Sequence, residues 1–239
     1  MHASQQGGSG LNSGGAFPGA NSASNGSPGM TGKKTATLAE RVDRRVSSKV
    51  NQKRDSWPMR LIGSASEIGD QPQMRALCAG TIAVALVRGD RRLAKTGLKM
   101  LAAHTLATWG KDGVKAVIDR TRPDSGDNAK MRRGNSDAHD ETSFPSGHSA
   151  GAVAVAEAFA RSYPKHAVAV RTAALAVAAA QVPRGTHYAG DVAAGVLIGL
   201  AAERASDAAA RLSVRAVDAG RIAVAVSHTG GEQEARAQR

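Results

Sequence analysis

The chain has 239 residues, which is enough for one large domain or two small ones. Lysine and arginine outnumber aspartate and glutamate by 32 to 20, giving a formal net charge of +12. This excess suits negatively charged partners: anionic lipid surfaces, phosphorylated substrates or nucleic acid. The single cysteine, Cys78, excludes an intramolecular disulfide, and its apolar surroundings predict a buried thiol.

The amino-terminal third contains little that can form a core. Residues 1–32 are mostly glycine, serine, alanine and asparagine, a composition that cannot bury enough apolar surface to offset chain entropy, so we expect a disordered tail. Residues 33–57 are charged, with Leu38, Val42 and Val46 at helical spacing, and predict a thin amphipathic helix. Residues 33–72 are therefore assigned to this helix and a linker.

From residue 73 onward the chain is alanine-rich, and little of it alternates with the period of a strand. The sequence predicts an all-α bundle of about five to six helices, with a single domain over residues 73–212 and a polar tail over 213–239. Tight turns are expected at Gly89-Asp90 and Tyr163-Pro164. The predicted helices cover residues 73–88, 91–120, 147–162, 165–181 and 189–210.

The segment from Ser143 to His148 reads Ser-Phe-Pro-Ser-Gly-His and leads directly into a predicted helix. Backbone N–H groups at a helix start lack intrahelical partners and carry the positive end of the helix dipole, so they favour an anion such as phosphate. His148 would lie beside that anion as a proton donor.

Two further groups of residues flank this turn. Lys115 and Arg122 are seven residues apart and are expected on one face of a helix that Pro123 ends. His187 and Asp191 are four apart, so the carboxylate can accept the imidazole N–H and fix the tautomer. Together with Arg184, three residues before His187, these side chains could bind a phosphoryl group and attack it.

Taken in order, Lys-x6-Arg-Pro, Pro-Ser-Gly-His and Arg-x2-His-x3-Asp resemble the three-part signature of the type 2 phosphatidic acid phosphatase (PAP2) superfamily. That superfamily also includes bacterial acid phosphatases and vanadium haloperoxidases. The resemblance spans roughly residues 77–202. One position departs from the pattern: Gln181 stands where the family has an arginine six residues before the histidine, and Arg184 is the nearby cation that could replace it.

The resemblance implies a phosphatase that acts on a phosphate monoester or pyrophosphate, of a lipid or a small molecule, without metal or other cofactor. It implies His187 as the nucleophile that forms a phosphohistidine, Asp191 as the acid holding its other nitrogen, and His148 as the donor to the leaving oxygen. The phosphoryl oxygens would be held by Lys115, Arg122, Arg184, the Ser146 hydroxyl and the Gly147 amide.

Other interpretations stay open at this stage. A catalytically weak phosphate-binding relative is one, because of Gln181; a basic helical nucleic-acid-binding protein is another. The second leaves His148 and His187 unexplained and lacks aromatic platforms for single strands, aromatic residues being 3% of the chain. His139, with Asp137 and Asp140, lies in one polar run that is typical of a solvated loop rather than a metal site.

Evidence on membrane placement is divided. The resemblance implies membrane association, since many relatives are integral membrane lipid phosphatases, and the basic turn 89–92 is typical of a cytoplasmic loop between two spans. Mean hydropathy is −0.29, and no clean run of about 20 apolar residues is present. We expect a membrane location, whereas the hydropathy alone favours buried helices in a water-soluble bundle.

Overall fold

The computed structural model describes residues 37–51, 56–57, 63–64, 66–125 and 130–237. These residues all belong to one compact unit that covers residues 36–239. The predicted disordered tail, residues 1–32, lies outside the described residues. Within these residues there are six α-helices: α1 (Leu38–Asn51), α2 (Gln71–Arg88), α3 (Arg91–Lys115), α4 (Gly147–Ser162), α5 (Ala167–Ala180) and α6 (Ala189–Ala237).

The predicted helical bundle is confirmed, and α4 lies at its centre, packed against α3, α5 and α6. Ten of the 16 residues of α4 are buried, most of them alanine or valine. A helix with small side chains on every face can pack against neighbours on several sides at once. The core continues into α2 through Met74 and Cys78, and burial raises the pKa of the predicted buried thiol to about 11.

Two glycines let α6 cross α4 in backbone contact. A Cβ atom on Gly195 would lie 2.4 Å from the Ser146 carbonyl oxygen, and one on Gly199 would lie 2.6 Å from that of Ala150. Because only glycine fits such an approach, the amino-terminal ends of the two helices are brought together. A backbone hydrogen bond from the Ser146 N–H to the Asp191 carbonyl, 3.0 Å, joins them directly.

The helix predicted over residues 91–120 ends earlier, at Lys115. Residues Ile118–Arg120 form strand β1, which pairs antiparallel with β2 (Met131–Arg133), so this part of the prediction is wrong. Val117 and Ile118 are β-branched, which weakens helix and favours strand once a partner is present. Lys115 and Arg122 consequently do not share a helical face. They lie on either side of β1.

The other predicted boundaries agree more closely with the structure. The turn at Gly89 is confirmed, with a left-handed φ of +66° that ends α2, and Asp90 caps α3 by accepting the Leu93 N–H at 2.9 Å. A 3-10 turn, Pro164–His166, precedes α5 as the Tyr163-Pro164 turn predicts. Helix α6 continues past its predicted end at residue 210, through the segment expected to be a polar tail.

Many large apolar side chains remain exposed on the outside of the bundle. They are distributed over α1, α2, α3, α5 and α6, and Val87 and Val168 are 89% and 79% exposed. Within the described residues, no helix combines the length and apolar character that crossing a bilayer requires.

Candidate active site

The three sequence motifs meet around one polar pocket of about 310 Å³ at the amino-terminal end of α4. The pocket draws on the carboxyl end of α3, the segment after β1, the first turn of α4 and the turn before α6. The junction between residue 69 and α2 closes another side. The lining residues are Gly69, Asp70, Gln71, Pro72, Lys111, Lys115, Arg122, Gly147, His148 and His187.

His187 lies in the turn before α6 rather than on the helix, and its ring is 2% exposed. Its Nδ1 is 2.7 Å from the carbonyl oxygen of Ser143. Since a carbonyl can only accept, Nδ1 carries the hydrogen, and Nε2 is left with a lone pair. Burial, followed by the positive charges of Arg122 and Lys115, holds the pKa of His187 well below its usual value. The ring is therefore neutral at neutral pH and suited to nucleophilic attack.

Asp191 is not the direct acceptor of the His187 N–H that the sequence predicts, because its Oδ2 is 3.9 Å from Nδ1. The carboxylate instead accepts from the Ser143 hydroxyl at 2.6 Å and from the Tyr188 backbone N–H at 2.9 Å. The second contact caps the first turn of α6. Ser143 thus contacts both residues: its hydroxyl donates to Asp191, and its carbonyl accepts from His187.

The opposite side of Asp191 is held by a fully buried arginine. Arg120 Nη1 lies 2.5 Å from Asp191 Oδ1, and Nη2 lies 2.7 Å from Asp43 Oδ2 on α1. The guanidinium also stacks over the Tyr188 ring at 4.1 Å. Burial raises the pKa of Asp191, and the charge of Arg120 opposes that shift. Backbone pairing of Arg120 with Ser143, 3.0 Å, fixes the same strand to the segment that orients His187.

His148 is the second residue of α4, and its ring centroid lies 6.4 Å from that of His187. Its Nε2 is 2.6 Å from Asp70 Oδ1, an ionic contact that is not aligned as a hydrogen bond. Burial lowers the pKa of His148, Asp70 opposes this, and the cations Arg184, Arg122 and Lys115 add to the lowering. The two histidines therefore face one pocket from different elements and have different partners.

Three cations line the pocket: Lys111, Lys115 and Arg122. Lys115 Nζ donates to the Thr142 carbonyl at 2.7 Å, and Arg122 Nε donates to the His139 carbonyl at 2.8 Å. Burial and the neighbouring Lys111 lower the pKa of Lys115 to about 8. Burial also lowers the pKa of Arg122. Crowding of buried positive charge is typical of a site that binds an anion.

Known proteins resemble this chain in sequence and in fold. Residues 96–206 match the profile of the PAP2 superfamily. The match covers 111 of the 239 residues, so this segment of the chain is similar to the PAP2 superfamily. The segment contains all eight residues that the sequence singled out, from Lys115 to Asp191, and leaves Asp43 and Asp70 outside. The resemblance predicted from the three motifs is confirmed.

Two solved structures share the fold. A transmembrane PAP2-type phosphatidylglycerolphosphate phosphatase from Bacillus subtilis has 21% identity and a TM-score of 0.54, over 74% of this chain and 88% of that one. LpxE from Aquifex aeolicus has 17% identity and a TM-score of 0.53, over 73% of this chain and 97% of that one. Among curated proteins, none matches this chain.

Two residues that the PAP2 pattern predicts as phosphate ligands, Ser146 and Arg184, do not line the pocket. The Ser146 hydroxyl is buried and accepts from the N–H and hydroxyl of Ser149, at 3.4 and 3.0 Å, as the cap of α4. Arg184 does not line the pocket: it donates to the Ser66 hydroxyl at 2.9 Å and lies 3.5 Å from Glu67. Gly147 does line it, beside the Lys111 side chain.

Gln181, at the position where the PAP2 pattern has arginine, is buried within the turn that carries His187. Its side-chain amide donates to the Val177 carbonyl at 3.0 Å, and its side-chain oxygen accepts from the Thr186 hydroxyl at 3.1 Å. The His187 N–H also donates to the Gln181 carbonyl at 3.3 Å. Gln181 therefore shapes the turn and does not reach the pocket.

Four residues near the site were not predicted from the sequence: Asp70, Lys111, Arg120 and Ser143. Lys111 left a local signal, being four residues before Lys115 on the same face of α3, and Ser143 is the first residue of the motif 143–148. As for metals, the described part of the chain holds no group of three or more histidine, cysteine or acidic residues that could ligate an ion. His139 and Asp140 are 3.5 Å apart and both largely exposed.

Proposed function

We propose that this protein is a phosphatase that hydrolyses a phosphate monoester or pyrophosphate through a phosphohistidine intermediate. One observation carries the proposal: the Nδ1–H of His187 is committed to the Ser143 carbonyl, which leaves Nε2 as a nucleophile beside three cations and a second histidine. Phosphoryl transfer needs positioning and charge neutralisation more than covalent assistance, and these residues supply both.

In the first step, His187 Nε2 attacks phosphorus, the bond from phosphorus to the leaving oxygen breaks, and His148 transfers a proton to that oxygen. In the second step, neutral His148 takes a proton from water as the water attacks phosphorus, and the bond from phosphorus to Nε2 breaks. Inorganic phosphate leaves, and both histidines regain their starting protonation. Lys111, Lys115 and Arg122 neutralise the phosphoryl oxygens throughout. The route assigns no role to a metal ion.

A lipid phosphate at a membrane is the proposed substrate class. Two observations support it: one structural relative is a phosphatidylglycerolphosphate phosphatase, and large apolar side chains are exposed along five of the described helices. The net charge of +12 favours an anionic lipid surface. Fractionation after an alkaline carbonate wash tests the location; recovery of all the protein in the wash would contradict it.

The roles of His187 and His148 require opposite charge states, so kcat/KM should follow a bell-shaped pH profile. Neutral His187 is required, and its lowered pKa places the acidic limb well below the usual histidine value. Protonated His148 is required, and its lowered pKa places the alkaline limb below the usual histidine value as well. We therefore expect an acidic optimum. A rate that stays flat from acid to alkaline pH would contradict these roles.

The decisive experiment is phosphate release across a panel of lipid and soluble phosphate esters, with EDTA present and vanadate as inhibitor. His187→Ala should abolish turnover and the acid-labile phosphoryl-enzyme that rapid quenching traps from the wild type. His166→Ala, an exposed histidine outside the pocket, is the matched control and should behave as the wild type. Retained turnover in His187→Ala would overturn the proposal.

A catalytically weak phosphate-binding protein is the second candidate. It is favoured by one observation: the pocket lacks the arginine of the PAP2 pattern, because Gln181 is buried and Arg184 is bonded to Ser66. In that case inorganic phosphate would bind by calorimetry, while no member of the substrate panel would be hydrolysed.

A further inference from the structure

Asp70 stands at the N-cap of α2, but its carboxylate does not cap the helix. An aspartate at this position normally accepts a backbone N–H from the first turn. Asp90, the N-cap of α3 in the same chain, does so by accepting the Leu93 N–H at 2.9 Å. The side chain of Asp70 is instead turned across the pocket to His148.

The contact with His148 is short and connects two separate elements. Asp70 Oδ1 lies 2.6 Å from His148 Nε2, although 78 positions separate the two residues in the sequence. The histidine side chain is 19% exposed and that of Asp70 is 42% exposed. The carboxylate that gives up a capping hydrogen bond makes this contact instead, which is ionic when the His148 ring is protonated.

The charges around His148 show why such a contact would matter. Besides burial, three positive charges lower the pKa of His148: Arg184 in the turn before α6, Arg122 after β1, and Lys115 at the end of α3. His187 lies across the pocket. Asp70 is the acidic residue among those that line the pocket, and it opposes the lowering of the His148 pKa by burial and by these cations.

We propose that Asp70 is a positioning residue that orients His148 and holds its protonated form ready for the leaving-group oxygen. This inference rests on the proposed function, because it assigns Asp70 a part in the same reaction. When the bond from phosphorus to the leaving oxygen breaks, the imidazolium gives its proton to that oxygen and becomes neutral. The carboxylate remains beside the ring and stabilises the charged form again when water is deprotonated in the second step.

Leaving-group dependence distinguishes this role from a structural one. An alkyl alcohol is a poor leaving group that needs a proton, whereas p-nitrophenolate leaves without one, so general acid catalysis matters far more for the alkyl ester. Asp70→Asn should lower kcat/KM for a long-chain alkyl phosphate by about tenfold to a hundredfold, and for p-nitrophenyl phosphate by less than about threefold. Asp70→Glu should restore part of the loss.

Asp90→Asn is the matched control, since it makes the same chemical change at the N-cap of the next helix. Asparagine is as good an N-cap as aspartate, so both variants should fold. Asp90→Asn should hydrolyse both esters at the wild-type rate. Equal losses on the two esters in Asp70→Asn would indicate a structural role, and no loss on either would indicate no role; both results would overturn the inference.

A second measurement does not require turnover. NMR titration of His148 should give a lower pKa in Asp70→Asn than in the wild type, and an unchanged pKa in Asp90→Asn. In the pH profile, the alkaline limb of kcat/KM should move to lower pH in Asp70→Asn. A His148 pKa that does not respond to Asp70→Asn would overturn the inference, whereas absence of hydrolysis in the wild type would count against the proposed function instead.

Discussion

Arg120 is the residue whose removal should most strongly destabilise the fold around the site. Its side chain is 0% exposed and pairs with Asp191 at 2.5 Å and with Asp43 at 2.7 Å. Arg120→Met would keep much of the volume and leave both carboxylates buried without their counter-charge. Breaking one buried pair from one side costs about 3–5 kcal/mol, which for a domain of this size lowers Tm on the order of 10 °C.

The pH dependence of that loss follows from Asp191. Burial already raises the pKa of Asp191 while Arg120 opposes the shift, so removing Arg120 raises it further. A carboxyl group whose folded pKa lies above its unfolded value destabilises the fold above the unfolded pKa, and protonation relieves the cost as pH falls. The difference in unfolding free energy between Arg120→Met and the wild type should therefore be smaller at about pH 4.5 than at pH 7.

Urea denaturation at these two pH values measures both effects. Arg132→Met on the neighbouring strand β2 is the control, because Arg132 pairs with Glu141 at 2.7 Å but both side chains are more than a third exposed. An exposed pair contributes about 0–1 kcal/mol. A loss in Arg120→Met no larger than that of the control, or one equal at both pH values, would refute the reasoning.

Two further predictions concern the proposed phosphate-binding pocket. The pKa of Lys115 is about 8, so its charge is lost as pH rises through that value. The affinity for inorganic phosphate, measured by calorimetry, should therefore fall about threefold to tenfold between pH 8 and 9. Lys115→Arg should remove this fall. Ser146→Ala should cost about 1 kcal/mol in thermal denaturation, as loss of an N-cap, and leave the Kd for phosphate unchanged, since the hydroxyl is bonded to Ser149. A tenfold weaker Kd with unchanged stability would instead support the phosphate contact that the motif suggests.

The bundle could be predicted from the sequence because its signals are local. Glycine and proline mark the turns between α2 and α3 and between α4 and α5. The stretches between these turns are rich in alanine, which favours helix. The end of α3 could not be placed in the same way. The strand Ile118–Arg120 has three residues and is stabilised by pairing with residues 131–133, a contact that no local pattern encodes.

The residues of the candidate site also fall into two groups, those that local sequence predicts and those that it does not. Pocket residues within the motifs, such as Lys115, Gly147 and His148, could be predicted because residue type and spacing carry them. Asp70 and Arg120 could not be, because their partners lie more than 70 positions away in the sequence. From the sequence, an aspartate at a helix start is expected to cap that helix. Only the folded chain shows that the Asp70 side chain contacts His148 instead.

The arrangement around His187 explains why a carboxylate four residues away need not make that histidine basic. Asp191 is neutralised by Arg120 and reaches the site through the Ser143 hydroxyl, while the His187 N–H is accepted by the uncharged Ser143 carbonyl. A carbonyl fixes the tautomer without adding a negative charge that would stabilise the imidazolium. His187 therefore keeps its orientation and its neutral form together, which its proposed role as nucleophile requires. Paired directly with an ionised carboxylate, the same ring would hold its proton to higher pH and lose the lone pair on Nε2.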